Sequence, residues 1–167
     1  MIKVGIITAS DKGFRGERED LSMKVIKELI AAINGQVMAY EIIPDEQPLI
    51  ETKLVEYCDQ LALDLIFTTG GTGFAARDVT PEATLKVAQK LVPGIGEVMR
   101  GVSLKVTPHG MLSRAIAAIR GQTLIVNLPG SPKAVRECLE AILPALPHGI
   151  QIMKGEAGEC GKADKGQ

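Results

Sequence analysis

An α/β fold, a three-layer α/β/α sandwich around a mostly parallel central sheet, is what this sequence predicts. Short β-branched runs with almost no charge alternate with segments of helical periodicity, in βαβαβ order. At 167 residues the chain is also long enough for one domain with a substantial core, without metal or disulfide staples.

The elements follow in order. Ile2 to Thr8 reads as a buried strand. A polar, glycine-bearing loop runs from Ser10 to Glu19. Asp20 is placed to cap a helix whose apolar stripe steps by four through Leu21, Val25, Leu29 and Ile33. Asn34-Gly35 stops it. Gln36 to Ile43 is the second strand, and Pro44-Asp45 ends it, because proline cannot donate to a central ladder. A second amphipathic helix carries Ile50, Leu54, Cys58 and Leu61. Leu65 to Thr69, the most apolar run, is the third strand, and Gly70-Gly71-Thr72-Gly73 leaves it as a loop.

Thr80-Pro81 opens the next helix, with threonine as cap and proline at the first helical position, and Pro93-Gly94 breaks it. Gly94 to Val106 reads as another helix. Thr123 to Leu128 is a further strand, followed by Pro129-Gly130-Ser131-Pro132 and a helix to about Leu143. The last apolar piece is Ile150 to Met153. Residues 1–153 therefore read as a single domain without repeat or linker, and 154–167 as a flexible tail rich in Gly, Lys and Glu.

Composition narrows the function. Lys plus Arg number 19 against 20 Asp plus Glu, a net charge of −1, which argues against a duplex binder working by charge neutralisation. Aromatic residues are 3% with no Trp, so a base-stacking platform is disfavoured as well. Cys58, Cys138 and Cys160 show no CxxC spacing and fit reduced thiols. No apolar run approaches the roughly 18 residues of a membrane span, and no cleavable leader is evident. The expected setting is the cytoplasm, without nucleic-acid or membrane partners.

In a doubly wound sheet, ligands sit at the carboxyl ends of the strands. The residues that follow each strand are therefore the candidates: Ser10-Asp11, Pro44-Asp45, Gly70 to Asp78, and Pro129-Gly130-Ser131. Thr69-Gly70-Gly71-Thr72-Gly73 has the chemistry of an anion nest, since glycines allow positive φ and close backbone approach. The same string also serves as a plain strand-to-loop turn. Its spacing through Ala76 mimics a dinucleotide fingerprint, but Arg77-Asp78-Val79 intervenes before the helix start, so a nicotinamide enzyme is improbable. No P-loop is present.

Asp45 and Asp78 follow different strands by short loops, so both are expected at one sheet edge. Two carboxylates beside a phosphate loop call for a cation, and Mg²⁺ suits one or two carboxylates plus substrate phosphates. Each aspartate alone also reads as a turn or cap residue. Arg77, Arg114 and Lys133 are candidate phosphate contacts. Around His109 and His148 the sequence offers no second ligand at metal spacing, so zinc and Ser-His-Asp catalysis are poorly supported.

Five collinear strings complete the pattern: Ile43-Pro44-Asp45-Glu46; Thr68 through Gly73; Arg77-Asp78-Val79-Thr80-Pro81-Glu82-Ala83-Thr84; Leu112-Ser113-Arg114; and Asn127-Leu128-Pro129-Gly130-Ser131-Pro132-Lys133. Together they resemble the MogA-type molybdopterin adenylyltransferases of the MogA/MoaB superfamily, relatives of the gephyrin G domain, over about Met1 to Met153. The resemblance implies adenylation of molybdopterin by ATP and Mg²⁺ with release of pyrophosphate, in a homotrimer, with handover to a molybdenum-insertion protein. It implies that Asp45 and Asp78 are catalytic and organise Mg²⁺ directly or through water. It places Thr69, Gly70, Gly71, Thr72 and Gly73 at nucleotide phosphate, Pro129, Gly130 and Ser131 in a second substrate loop, and Glu82, Ser10, Asp11, Ser113 and Arg114 among the ligand contacts. Some MoaB-type relatives lack the Pro-Asp acid, whereas this chain has both acids. The alternative from another class is a non-catalytic pterin- or nucleotide-binding scaffold.

Overall fold

A computed structural model describes residues 1–156. The expectation for the tail falls largely on 157–167, which lie outside the described residues. The six strands are β1 (Ile2–Ala9), β2 (Gly35–Ile43), β3 (Leu65–Thr69), β4 (Lys90–Leu91), β5 (Ala117–Arg120) and β6 (Thr123–Leu128). They form one sheet in the order β2-β1-β3-β6-β5-β4. The first four in that order run parallel, while β5 and β4 are antiparallel. The predicted fold class is the observed one.

The helices are α1 (Asp11–Phe14), α2 (Leu21–Leu29), α3 (Gln47–Val55), α4 (Thr80–Val87), α5 (Pro93–Val106), α6 (Pro132–Ile142) and α7 (Leu146–Lys154). Strand side chains alternate between faces, so β1, β3 and β6 each feed two cores. Val4, Ile6, Leu65, Phe67 and Val126 pack with Ile26 of α2, Met99 of α5, Val135 and Leu139 of α6 and Ile150 of α7. On the other face Ile7, Ile66 and Ile125 pack with Ile50 and Leu54 of α3 and Ala83 and Val87 of α4. All five residues of β3 are buried, its two threonines included.

Several local expectations are corrected. The Ser10–Glu19 loop contains the one-turn helix α1, capped by Ser10 Oγ accepting from Gly13 N at 3.0 Å. The fully buried positions along this run are Ser22, Ile26 and Ile30, while Val25, Leu29 and Ile33 of the expected stripe are partly buried against the same core and Leu21 at its start is exposed. Leu61 is likewise exposed, because α3 passes into a π-helical turn at Glu56–Gln60 that changes the phase. Val79, not Thr80, occupies the N-cap of α4, and Thr80 is the first helical residue. The short strands β4 and β5 and the final helix α7 carry no clear periodic signal in so few residues. Asp20 does cap α2, accepting from Met23 N at 3.0 Å, and Asn34 takes the left-handed conformation (φ 55°) that ends the helical run.

One buried polar network ties the sheet to α4. Asn127 on β6 is fully buried and donates through Nδ2 to Thr68 Oγ1 on β3 and Thr84 Oγ1 on α4, each at 2.9 Å. It holds the strand before the glycine loop against the helix that follows that loop. Asn127→Ala leaves two buried hydroxyls without their donor, and a loss of about 2–3 kcal/mol in urea-denaturation stability is expected. A loss below about 0.5 kcal/mol would show that the network is dispensable.

Candidate active site

The chain leaves β1 toward β2 on one side and toward β3 and β6 on the other. The crevice between the carboxyl ends of β1 and β3 is therefore the topological switch point, where a doubly wound sheet opens for a ligand. A cavity of about 620 Å³ lies there. Thr8, Ala9 and Ser10 line it from the end of β1, Asp45 from the end of β2, and Thr69, Gly70 and Gly71 from the end of β3. Gly130 and Ser131 line it from the turn after β6, and Asp78 from the loop before α4.

The glycine loop is built by close approach. Gly70 and Gly71 have φ of +83° and +65°, the region that favours glycine. A Cβ on Gly70 would lie 2.4 Å from the carbonyl oxygen of Ala9, and one on Gly71 would lie 2.3 Å from Thr80 Oγ1. The two aspartates press on the same loop. The Gly71 position would meet Asp45 Oδ1 at 3.4 Å and the Gly73 position Asp78 Oδ2 at 2.8 Å. Glycine at 71 and 73 thus gives room for two carboxylates beside one backbone turn.

Asp45 and Asp11 are stapled to each other. Asp11 N donates to Asp45 Oδ2 at 2.9 Å and Asp45 N to Asp11 Oδ1 at 3.1 Å. Arg77 donates to Asp11 at 2.5 and 2.9 Å, and this bond holds the Asp11 carboxyl below the ordinary carboxylate range. Asp45 shifts the other way. Burial pushes its pKa up, the Asp11 amide partly offsets this, and the nearby charges of Asp11 and Asp78 push it further. Asp78 accepts from Ala75 N at 2.9 Å, which closes the turn that carries it.

The opposite wall was not anticipated. Arg18, Glu19, Asp20, Leu21 and Ser22 line the cavity from the start of α2. Asp20 accepts from Thr8 Oγ1 at 2.5 Å and Tyr40 Oη at 2.8 Å, and Thr69 Oγ1 donates to Thr8 Oγ1 at 3.2 Å. Ser22 Oγ donates to the carbonyl of Gly130 at 2.9 Å, joining this wall to the Pro-Gly-Ser turn. The sequence signal was present in Asp20 and Ser22, a capping residue and a polar residue at the mouth of an apolar helix face.

Other sequence candidates sit behind the wall. Thr72 is buried, and Gly73 abuts Asp78 on the loop's far side. Glu82 pairs with the Arg114 guanidinium, which also donates to the carbonyls of Gly73 and Asp78. Pro129 and Ser113 line a separate cavity of about 210 Å³ against α5 and α6. Asp11 and Arg77 line an outer groove with Phe14. Lys133 pairs with Glu137 at 3.8 Å on the surface of α6. Cys58 and Cys138 are buried with raised thiol pKa values, in keeping with core packing.

Residues 5–148 match the family model described as a probable molybdopterin binding domain. The chain belongs to that family. A Helicobacter pylori molybdopterin adenylyltransferase is 51% identical over 156 residues, covering 92% of this chain and 89% of the relative. The Escherichia coli K12 molybdopterin adenylyltransferase is 39% identical over 168 residues, covering 92% and 86%. The crystal structure of the molybdopterin biosynthesis enzyme MoaB from Thermus thermophilus superimposes with a TM-score of 0.89 at 52% identity, covering 95% of this chain and all of that one.

The crowding of Asp45 has a measurable sign. Its folded-state pKa lies above the ordinary 3.8, so its ionised form is disfavoured by folding. Stability from this group is full below the unfolded value and is lost as pH rises through the folded one. Asp45→Asn keeps the acceptor for Asp11 N and removes the charge. Without divalent cations it is expected to melt above the wild type at pH 7. The gap should close as pH falls toward 3.8. A variant that melts lower at pH 7 contradicts this assignment.

Proposed function

We propose that this chain is a molybdopterin adenylyltransferase, moving AMP from ATP to molybdopterin with release of pyrophosphate in molybdenum cofactor biosynthesis. The carrying observation is the packing of Asp45 and Asp78 against Gly71 and Gly73 at the sheet's switch point. That arrangement sets two carboxylates and a turn of exposed backbone on one cavity. The named relatives, aligned over most of their lengths, support the same reaction.

In the reaction, a terminal phosphate oxygen of molybdopterin attacks the α-phosphorus of ATP. A new phosphoanhydride bond forms, the bond to the β-phosphate bridging oxygen breaks, and pyrophosphate leaves with the electron pair. The attacking phosphate is already ionised at neutral pH, so no general base is needed, and no histidine lines the cavity among the described residues. The protein's task is in-line placement of two anions. The glycine loop offers backbone N–H groups to phosphate, and the Gly130-Ser131 turn at the start of α6 faces it across the cavity.

The donor set fits a divalent cation. Asp45 has its Oδ2 engaged by Asp11 N and is crowded by two like charges, a strain that a bound cation would relieve. No cluster of three or more His, Cys, Asp or Glu able to hold a metal is present among the described residues. Two aspartates completed by water and phosphate oxygens match the habits of Mg²⁺. Asp45 and Asp78 would hold Mg²⁺ directly or through water, and the ion would neutralise charge between the two phosphates. The homotrimer, the cytoplasmic setting and handover to a molybdenum-insertion protein belong to the same proposal. No helix among the described residues is long and apolar enough to cross a membrane.

Asp78→Asn tests this reading. The amide oxygen still accepts from Ala75 N, so the fold should persist with melting within about 3 °C of wild type, a shift worth about 1 kcal/mol. Adenylyl-molybdopterin formed from molybdopterin and Mg-ATP should fall at least ~100-fold. Full turnover in the variant, or no product from folded wild type that still binds molybdopterin, would move the reading to a non-catalytic scaffold.

A further inference from the structure

Arg114 stands outside the cavity, yet its contacts fall on the segment that joins Gly71 to Asp78, two residues that line it. Its backbone N–H donates to the carbonyl of Thr72 at 2.9 Å. Its Nε donates to the carbonyl of Gly73 at 2.7 Å, and one terminal nitrogen to the carbonyl of Asp78 at 2.7 Å. The other terminal nitrogen bonds Glu82 in the first turn of α4. Thr80 N meanwhile donates to the carbonyl of Gly71 at 3.1 Å. The carbonyls of residues 71, 72 and 73 are therefore all taken by donors from α4 and Arg114.

A trans peptide points its N–H opposite to its C=O. With the carbonyls of Gly71, Thr72 and Gly73 turned onto these donors, the N–H groups of Thr72, Gly73 and Phe74 point to the side away from them. The guanidinium also spans both ends of the 73–78 turn, from the Gly73 carbonyl to the Asp78 carbonyl. Glycine at 73 leaves the backbone there free to rotate, and Phe74 to Arg77 are exposed. Within the turn, among the described residues, Asp78 is tied to Ala75 by two bonds, Ala75 N to Asp78 Oδ2 and Asp78 N to the Ala75 carbonyl, each at 2.9 Å, and neither reaches Gly73.

We propose that Arg114 is a positioning residue, which sets the peptide planes of the glycine loop and the placement of Asp78 without touching substrate. Glu82 is its anchor: it holds one arm of the guanidinium, so that Nε and the other arm meet the two carbonyls. Three separate guanidinium nitrogens reach acceptors on residues 73, 78 and 82, a spread that suits a rigid planar fork and not the single nitrogen of lysine. This assignment rests on the reading that the loop receives nucleotide phosphate, and it replaces a ligand-contact role for both residues.

The experiment compares wild type, Arg114→Ala, Arg114→Lys and Glu82→Gln by two readouts. Backbone amide exchange at Ala75, Asp78 and Thr80, whose N–H groups are hydrogen-bonded within the loop, reads its order directly, and steady-state kinetics with molybdopterin and Mg-ATP separates kcat from KM. Expected are exchange at least ~10-fold faster confined to those amides and a fall in kcat of about 100-fold, the scale of a misplacement near 1 Å. Arg114→Lys should recover little of the loss, and Glu82→Gln should show a weaker form of both effects. Unchanged exchange with a loss confined to KM and restored by lysine would overturn the proposal and make Arg114 a substrate contact. If Arg114→Ala does not fold, the lysine variant, which keeps charge and most of the volume, decides alone. If wild type forms no adenylyl product, the exchange readout still decides the positioning role, separately from the reaction.

Discussion

The close passage of Gly70 over the end of β1 is the constraint on which the site depends. The 2.4 Å separation between the position of a Gly70 Cβ and the Ala9 carbonyl leaves no room for any side chain. A positive φ at two successive glycines then turns the chain across the strand ends instead of onward. The chain then runs through Thr72 to Asp78, which lines the crevice again, and enters α4 at Thr80. Asp45, arriving from β2, meets the same turn from the other side. Two acids distant in sequence share one cavity because this crossing leaves them no other place.

Around that turn the polar groups are satisfied by the protein in a layered way. Inside, Asn127 bonds Thr68 and Thr84 and fixes the strand before the loop to the helix after it. Behind, Arg114 and Glu82 take the loop's carbonyl side. In front, Asp11 and Asp45 exchange backbone bonds, and Arg77 closes over Asp11. The one buried side-chain polar atom without a partner among the described residues is Thr80 Oγ1, which lies against Gly71. An unpaired buried hydroxyl at that place is consistent with a turn held for function at some cost to stability.

Much of this was legible in the sequence, for identifiable reasons. The buried strands announced themselves because both faces of β1, β3 and β6 are covered, which leaves runs of apolar residues. The parallel order then placed every post-strand loop at one edge, and the structure does bring Asp45, Asp78, Gly70, Gly71, Gly130 and Ser131 to one cavity. The expected α2 stripe is one position off: Val25, Leu29 and Ile33 reach the core in part, but the fully buried line runs through Ser22, Ile26 and Ile30, where a serine hides the start of the apolar face. Arg114, expected among the ligand contacts, bonds the carbonyls of Gly73 and Asp78 and the Glu82 carboxylate, partners that spacing in the sequence does not encode. Strands β4 and β5 are too short to carry a period.

In the proposed reaction Asp45, Asp78 and the glycine loop act together on a nucleotide through a divalent cation. Mn²⁺ binding, followed by electron paramagnetic resonance with and without ATP, decides whether they do. Expected are weak binding of Mn²⁺ alone, at least ~10-fold tighter binding when ATP is present, and loss of that gain in both Asp45→Asn and Asp78→Asn. Mn²⁺ binding that ignores ATP, or a gain that survives both substitutions, would contradict that joint action.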